Sequence, residues 1–470
     1  MQIISFDFLF FVSISLAIFY LLPGKLQNPF LLLASYYYYS TWSWNYLIVL
    51  LLLTVFNYFY ARPVRRAGRK KPYVLWAGIG VNLVIFAVFL FGDFLTPGLN
   101  GLAALFSEGG FELRILLPLG FSYYVLECIS YLVDVQLRVT KPGENIIDFA
   151  LYLAYFPKLI SGPIERWRKF GAQLREKRIV DNQLLARSLI LVLVGLIQSV
   201  ILGGLFTVLA PTFVLDKPES FAGLQLLLAL VVYSFYLYNQ FSGYTKIVRG
   251  VSGFFGIELS RNFAYPFFSK DFSDFWNRWH ISLSQWLRDY VYLPRSRALL
   301  RRNPSRTNKA NLIVPPMATM LSSGLWHGAS LNLILWGALN GFYIVIENLL
   351  NLFRPVSPDA RPPWYRRAFS TALVLGLGLV AAIPFRMDLA TSKIFLYQLT
   401  KGFQLEMPDL RPLLIMAATL GLDWLQFRHD DEFVFLKWPR WAQALSAALA
   451  VFFLIVVYNL QNAPTTFVYP

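Results

Sequence analysis

Apolar runs near twenty residues recur along the chain, at 3–22, 29–60, 73–95, 112–134, 186–210, 220–248, 312–330, 332–350, 368–386, 411–427 and 443–460. A bilayer core demands runs of this length, because backbone polar groups in lipid must be paired within a helix or barrel. The pattern predicts an all-α polytopic membrane protein with about 11–13 membrane helices. The run 29–60 is too long for one upright helix and reads as two.

A different pattern holds in SKDFSDFWNRWHISLSQWLRDYVYLP, residues 269–294. Phe272, Phe275, Trp276, Trp279, Leu283, Trp286, Leu287 and Tyr290 recur at helical spacing, with Asp271, Asp274, Arg278, Arg288 and Asp289 between them. This spacing predicts an amphipathic helix lying along the cytoplasmic membrane face. It sits in the longest polar stretch, about 261–311, and no soluble domain fits anywhere, so the chain reads as one transmembrane domain over 1–470.

Charge then orients the spans. Residues 61–71 carry six cations and no acid, 158–187 eight cations against three acids, and 261–311 ten against three. Cytoplasmic loops carry such an excess, which accounts for the net charge of +16 without invoking nucleic acid. A crossing here would put the basic 158–187 loop outside, so the simpler reading is that 146–163 dips into the membrane and returns, broken at Pro157, Gly162 and Pro163 of FPKLISGPIER. The basic loop from Arg354 to Arg367 then falls inside and the C-terminus after Asn459 outside, while Lys25 favours an external start. The first apolar run lacks a basic leader and a small-residue cleavage site, so it reads as a retained helix. Only 14% of residues are charged against 57% hydrophobic, and the lone Cys128 allows no internal disulfide.

Three histidines can be weighed singly. His429, beside Asp430, Asp431 and Glu432, reads as a solvated surface residue. His280, on the amphipathic stretch, is either an interfacial polar residue or part of a site. His327, in LSSGLWHGASLNLILWGALNG, lies about fifteen residues past the cytoplasmic entry at Leu312, roughly 20 Å along a helix. An ionisable side chain at such depth is costly and marks a candidate site. The competing account is a structural histidine bonded to Ser322, Ser323 or a carbonyl. A neutral imidazole in an apolar setting can act as general base for a hydroxyl attacking an acyl carbonyl. No G-x-S-x-G elbow, H-E-x-x-H helix, Cys/His metal cluster or glycine-rich phosphate loop occurs in the chain. No metal and no resident cofactor are therefore expected.

FWNRWHISLSQWLRDYVYLP, within 272–294, resembles a signature of the membrane-bound O-acyltransferase family, and SGLWHGASLNLILWGALNG, 323–341, resembles its second signature with His327 at the family's histidine. LPLGFSYYVLECISYLVDV (117–135), FPKLISGPIERWRKF (156–170), the N-terminal SFDFLFFVSISLAIFYLLP and the C-terminal APTTFVYP are similar as well. Within the family the sequence looks like the bacterial branch that acetylates alginate, peptidoglycan and other surface polymers or exports D-alanyl groups to teichoic acids. The resemblance implies membrane helices with re-entrant and interfacial elements around a central tunnel, in the cytoplasmic (inner) membrane. It implies an acyl thioester donor such as acetyl-CoA entering near His280, and transfer past His327 to an extracytoplasmic partner transferase that modifies the polymer. His327 and His280 are then the catalytic candidates. Asn277, Arg278, Trp279 and Asp289 beside one, and Ser323 and Trp326 beside the other, are the substrate-binding candidates. The sequence departs from many polysaccharide-acetylating relatives in YNQFSGYTKIVRG, where Gln240 and Lys246 stand at positions expected to be acidic. Two other functions remain on these grounds: a lipid or glycan flippase using His327 in a proton relay, and a scaffold that has lost catalysis.

Overall fold

The computed structural model describes residues 1–104, 115–176, 178, 181–209, 212–221, 223–305, 307–353, 363–401, 409 and 411–460. Among these the regular structure is helical, with no strand. Among the described residues seven helices are long and apolar enough to cross a membrane: Trp44–Lys70, Pro72–Leu90, Asn182–Thr207, Gly223–Phe254, Leu331–Phe353, Trp364–Arg386 and Arg440–Val457. Large apolar side chains stand on helix exteriors, and Leu21, Phe94, Phe353 and Trp364 each exceed 80% exposure. Such faces suit lipid rather than water. The protein is an all-α, multi-pass membrane protein. The loop 354–362 and the tail 461–470, given sides above, lie outside the described residues.

The chain forms two compact units, one of residues 1–188 with 248–260, the other of 189–247 with 261–470. The first begins with α1 (Phe6–Leu21), capped by the Ser5 hydroxyl accepting from Phe8 N–H at 3.1 Å. The run 29–60 resolves into two helices, α2 (Gly24–Ser40) and α3 (Trp44–Ala67), parted at Ser43, which caps α3. Next come α4 (Pro72–Leu90), α5 (Gly92–Ala104) and α6 (Phe121–Gln136). The expected break at 146–163 is present. α7 (Ile146–Ala154) stops after nine residues, about 13 Å of rise and under half of a ~30 Å bilayer core. The chain then turns through buried Pro157, Gly162 and Pro163 toward α8 (Trp167–Gln173). A Cβ on Gly162 would collide with the Lys158 backbone, so the turn needs glycine there. The buried Lys158 ammonium donates to both Glu127 carboxylate oxygens, at 2.7 and 2.6 Å, and Glu127 also accepts from Glu165 N–H.

The remaining helices are α9 (Asn182–Leu196), continued by a π turn (Ile197–Leu202) into α10 (Gly203–Leu209), then α11 (Gly223–Phe254), α12 (Phe272–Arg278) and α13 (Ile281–Leu287). They are followed by α14 (Leu293–Arg302), α15 (Lys309–His327), α16 (Leu331–Phe353), α17 (Trp364–Arg386), α18 (Leu389–Thr400), α19 (Arg411–His429) and α20 (Arg440–Leu460). The single amphipathic helix expected over 269–294 does not form; α12 ends at Arg278 and α13 starts at Ile281. Helical spacing alone could not show why. The backbone groups at the break are drawn off by residues 262–264. Ala264 N–H donates to Arg278 C=O and Ile281 N–H to Asn262 C=O, both at 2.9 Å.

Candidate active site

α15 and α16 form a tight hairpin whose first arm ends at His327. Its 19 residues rise about 28 Å, which sets His327 at the far end from the basic stretch before Lys309. Glycines let the arms meet backbone to backbone. A Cβ on Gly337 would lie 2.5 Å from the Met320 carbonyl oxygen, and one on Gly324 would strike that of Leu333. This close approach brings Trp336 of α16 against His327, ring centroids 5.1 Å apart and edge to face. Phe385 of α17 covers another side at 5.3 Å, and Trp326 a third at 4.8 Å. The imidazole is buried at 9% exposure among aromatic rings. Ser322, one suggested partner, donates its hydroxyl instead to Ala318 C=O of its own helix.

His280 corrects its interfacial reading, being 1% exposed. It occupies the break between α12 and α13 with φ 43° and ψ 54°, the left-handed region that a β-carbon disfavours. Such a conformation persists only where neighbours impose it, and it concentrates at functional sites. Phe241 of α11 meets the ring at 4.9 Å and Trp326 at 5.9 Å. One indole therefore touches both imidazoles, which are near enough to interact electrostatically. His280 lies on the connection between α11 and α15, outside the spanning helices. Burial, and secondarily the proximity of His327, holds its pKa down to about 3. The imidazole is therefore neutral at physiological pH.

The other expected site residues divide. Ser323 and Trp326 are buried with the histidines. Trp279 stacks on Phe275 at 5.7 Å and meets Phe263 at 5.1 Å, walling the same region. Arg278 is engaged structurally, donating to Asp274 at 2.8 Å and to Ala264 C=O at 3.2 Å. Asn277 is exposed, and Asp289 pairs with adjacent Arg288 at 3.2 Å on the surface; the ring cluster is built without either. His429 is exposed at the end of α19, as expected.

Sequence reasoning missed four contributors. Trp336 was within the quoted motif, but only hairpin geometry brings it to His327. Phe385 and Phe241 are apolar residues in apolar helices and give no local signal. Glu347 of α16 does: a carboxylate in an apolar run calls for a partner. It accepts from Phe272 N–H at 2.7 Å and from the Ser273 hydroxyl, fastening the start of α12. Beside the cluster lies an apolar cavity of about 230 Å³, with Tyr233, Phe235, Trp276, Trp279, Trp336 and Phe385 in its wall. The departure at Gln240 and Lys246 falls in a buried polar contact of α11 with the π turn. Lys246 donates to Gln198 at 2.6 Å and Ser242 at 2.8 Å, and Ser199 donates to Gln240 at 2.8 Å.

Residues 37–383 match the membrane-bound O-acyltransferase family. A probable alginate O-acetylase AlgI of Pseudomonas putida is 35% identical over 73% of this chain and 70% of its own length. A peptidoglycan O-acetyltransferase of Helicobacter pylori is 30% identical over 72% and 68%, respectively. A teichoic acid D-alanyltransferase of Streptococcus thermophilus is 29% identical over 49% of this chain and 56% of its own. A multi-pass helical protein with two buried histidines against one indole is similar along most of its length to these enzymes, and the chain belongs to the membrane-bound O-acyltransferase family and is an O-acyltransferase.

Proposed function

We propose that this enzyme takes a short acyl group, acetyl, from a cytoplasmic thioester such as acetyl-CoA for O-acylation of a cell-surface polysaccharide, acting in the inner membrane. The observation that carries it is His327 in an aromatic box beside a small apolar cavity. That cavity is apolar, and Trp336 and Phe385 belong both to its wall and to the rings around His327. The names of the P. putida and H. pylori relatives support acetyl as the cargo and a glycan as the destination.

In this reading an acceptor hydroxyl gives its proton to the His327 imidazole as its oxygen attacks the thioester carbonyl. The tetrahedral intermediate collapses, the C–S bond breaks, and the departing thiolate takes the proton from the imidazolium. Ester and free thiol are the products, and the imidazole is restored. The aromatic walls exclude water, which would otherwise compete as nucleophile. His280, held rigidly on the other side of Trp326, orients donor or acceptor. The first acceptor is an extracytoplasmic partner transferase, which passes the group to the polymer.

Purified protein in vesicles, given labelled acetyl-CoA and acceptor glycan with the partner transferase, tests this. His327→Gln should lower transfer at least a hundredfold, the scale of losing a general base, while the variant accumulates normally. Full activity in that variant would sink the assignment. Labelled D-alanyl donor transferred in preference to acetyl would redirect the cargo.

A further inference from the structure

α13 lacks an ordinary N-cap. The first N–H groups of a helix have no partner within it, and a capping side chain at the preceding residue normally accepts from one of them. Here that residue is His280, whose side chain makes no cap bond. The duty falls to Asn262, eighteen residues earlier. Its carbonyl accepts from Ile281 N–H at 2.9 Å, and its side-chain Oδ1 from Ser282 N–H at 3.2 Å. Asn262 is 1% exposed, and the adjoining Ala264–Arg278 bond fixes the same segment against the other side of the break.

We propose that Asn262 is a positioning residue for acyl transfer: by capping α13 from outside, it holds His280 in its left-handed conformation with the imidazole between Phe241 and Trp326. The catalytic part of this inference rests on the acyl-transfer reading above; the structural part does not. Of the two bonds from Asn262, only the side-chain bond depends on residue identity. Without it the Ser282 N–H loses this acceptor, and α13 recovers its cap most readily by letting residue 280 leave the left-handed region. That movement carries the imidazole away from Trp326. An acceptor of asparagine's shape should preserve the arrangement, and an apolar side chain of the same size should not.

The test uses the full-length protein in lipid nanodiscs, with Asn262→Asp and Asn262→Leu compared with the parent. Amide hydrogen exchange and steady-state transfer are read on the same samples. In Asn262→Leu, exchange across 281–284 should quicken about tenfold, the scale of a lost cap, while exchange in α15 and α16 stays unchanged. Its kcat should drop by a similar factor with KM for acetyl-CoA within about twofold. Asn262→Asp should keep both properties near those of the parent. Parent-like exchange at 281–284 in Asn262→Leu overturns the proposal, as does an equal loss of kcat in both variants. Should Asn262→Leu fail to accumulate, Asn262→Asp decides: parent-like exchange and kcat uphold the cap, and loss of either overturns it. If the parent itself transfers no acyl group, the acyl-transfer reading fails, and the exchange comparison still decides whether Asn262 holds the His280 turn.

Discussion

At His280 the physical conflict is between charge and enclosure. An unfolded chain ionises histidine near pH 6.5, whereas the folded site keeps this one neutral down to about 3. Between those values the unfolded chain binds a proton that the native protein refuses, so stability present above pH 6.5 falls as the pH drops through that window. His280→Gln removes the ionisation while keeping a polar side chain. The variant should therefore lose less melting temperature between pH 7 and pH 5 than the parent, by intrinsic fluorescence in detergent; an equal loss would show that another group governs the window. His327 was legible because a histidine deep in an apolar helix has few ordinary explanations. His280's burial was not, because the segment that breaks its helix lies eighteen residues upstream and carries no periodic signal. Asn277 and Asp289 lie near His280 along the chain, but one is exposed and the other pairs with Arg288 on the surface.

At the level of elements, the α15–α16 hairpin matters more than either helix, since it fixes His327 against Trp336. Gly324 and Gly337 are where the two arms approach backbone to backbone. Gly337→Val should force the arms apart, costing about 1–3 kcal/mol in stability and lowering transfer at least tenfold. Gly376→Ala in α17 meets nothing within 4 Å and should leave both unchanged, serving as control. Thermal unfolding and transfer assays on the pair check this, and parent-like activity in Gly337→Val would mean the hairpin tolerates separation. Most helix positions were readable from hydropathy, including that 29–60 holds two helices, though not that they part at Ser43. The failure came at 269–294, where a perfectly helical pattern is overruled by backbone bonds to 262–264.

Across the whole molecule, the ion pair Lys158–Glu127 is the most enclosed among the described residues, each side chain 2% exposed. It ties α6 to the turn after α7, and Lys158 also lies over the rings of Tyr152 and Phe170 at 5.1 and 5.6 Å. Removing one partner strands a buried charge, so Lys158→Ala should cost about 3–5 kcal/mol. The double change Lys158→Met with Glu127→Gln should cost markedly less, since no full charge remains. Unfolding in mixed micelles measures both; a single variant as stable as the double would show that the charges do not depend on each other. The exposed apolar faces noted at Leu21, Phe94, Phe353 and Trp364 bear on what such unfolding means. Lipid receives those faces equally well whether the helices are packed or parted. Solvent exclusion therefore favours insertion of each helix more than assembly of the set, and assembly depends on glycine contacts, paired polar groups and ring packing. In a harsh detergent the protein should come apart as intact helices, with its active site lost while its circular dichroism scarcely changes.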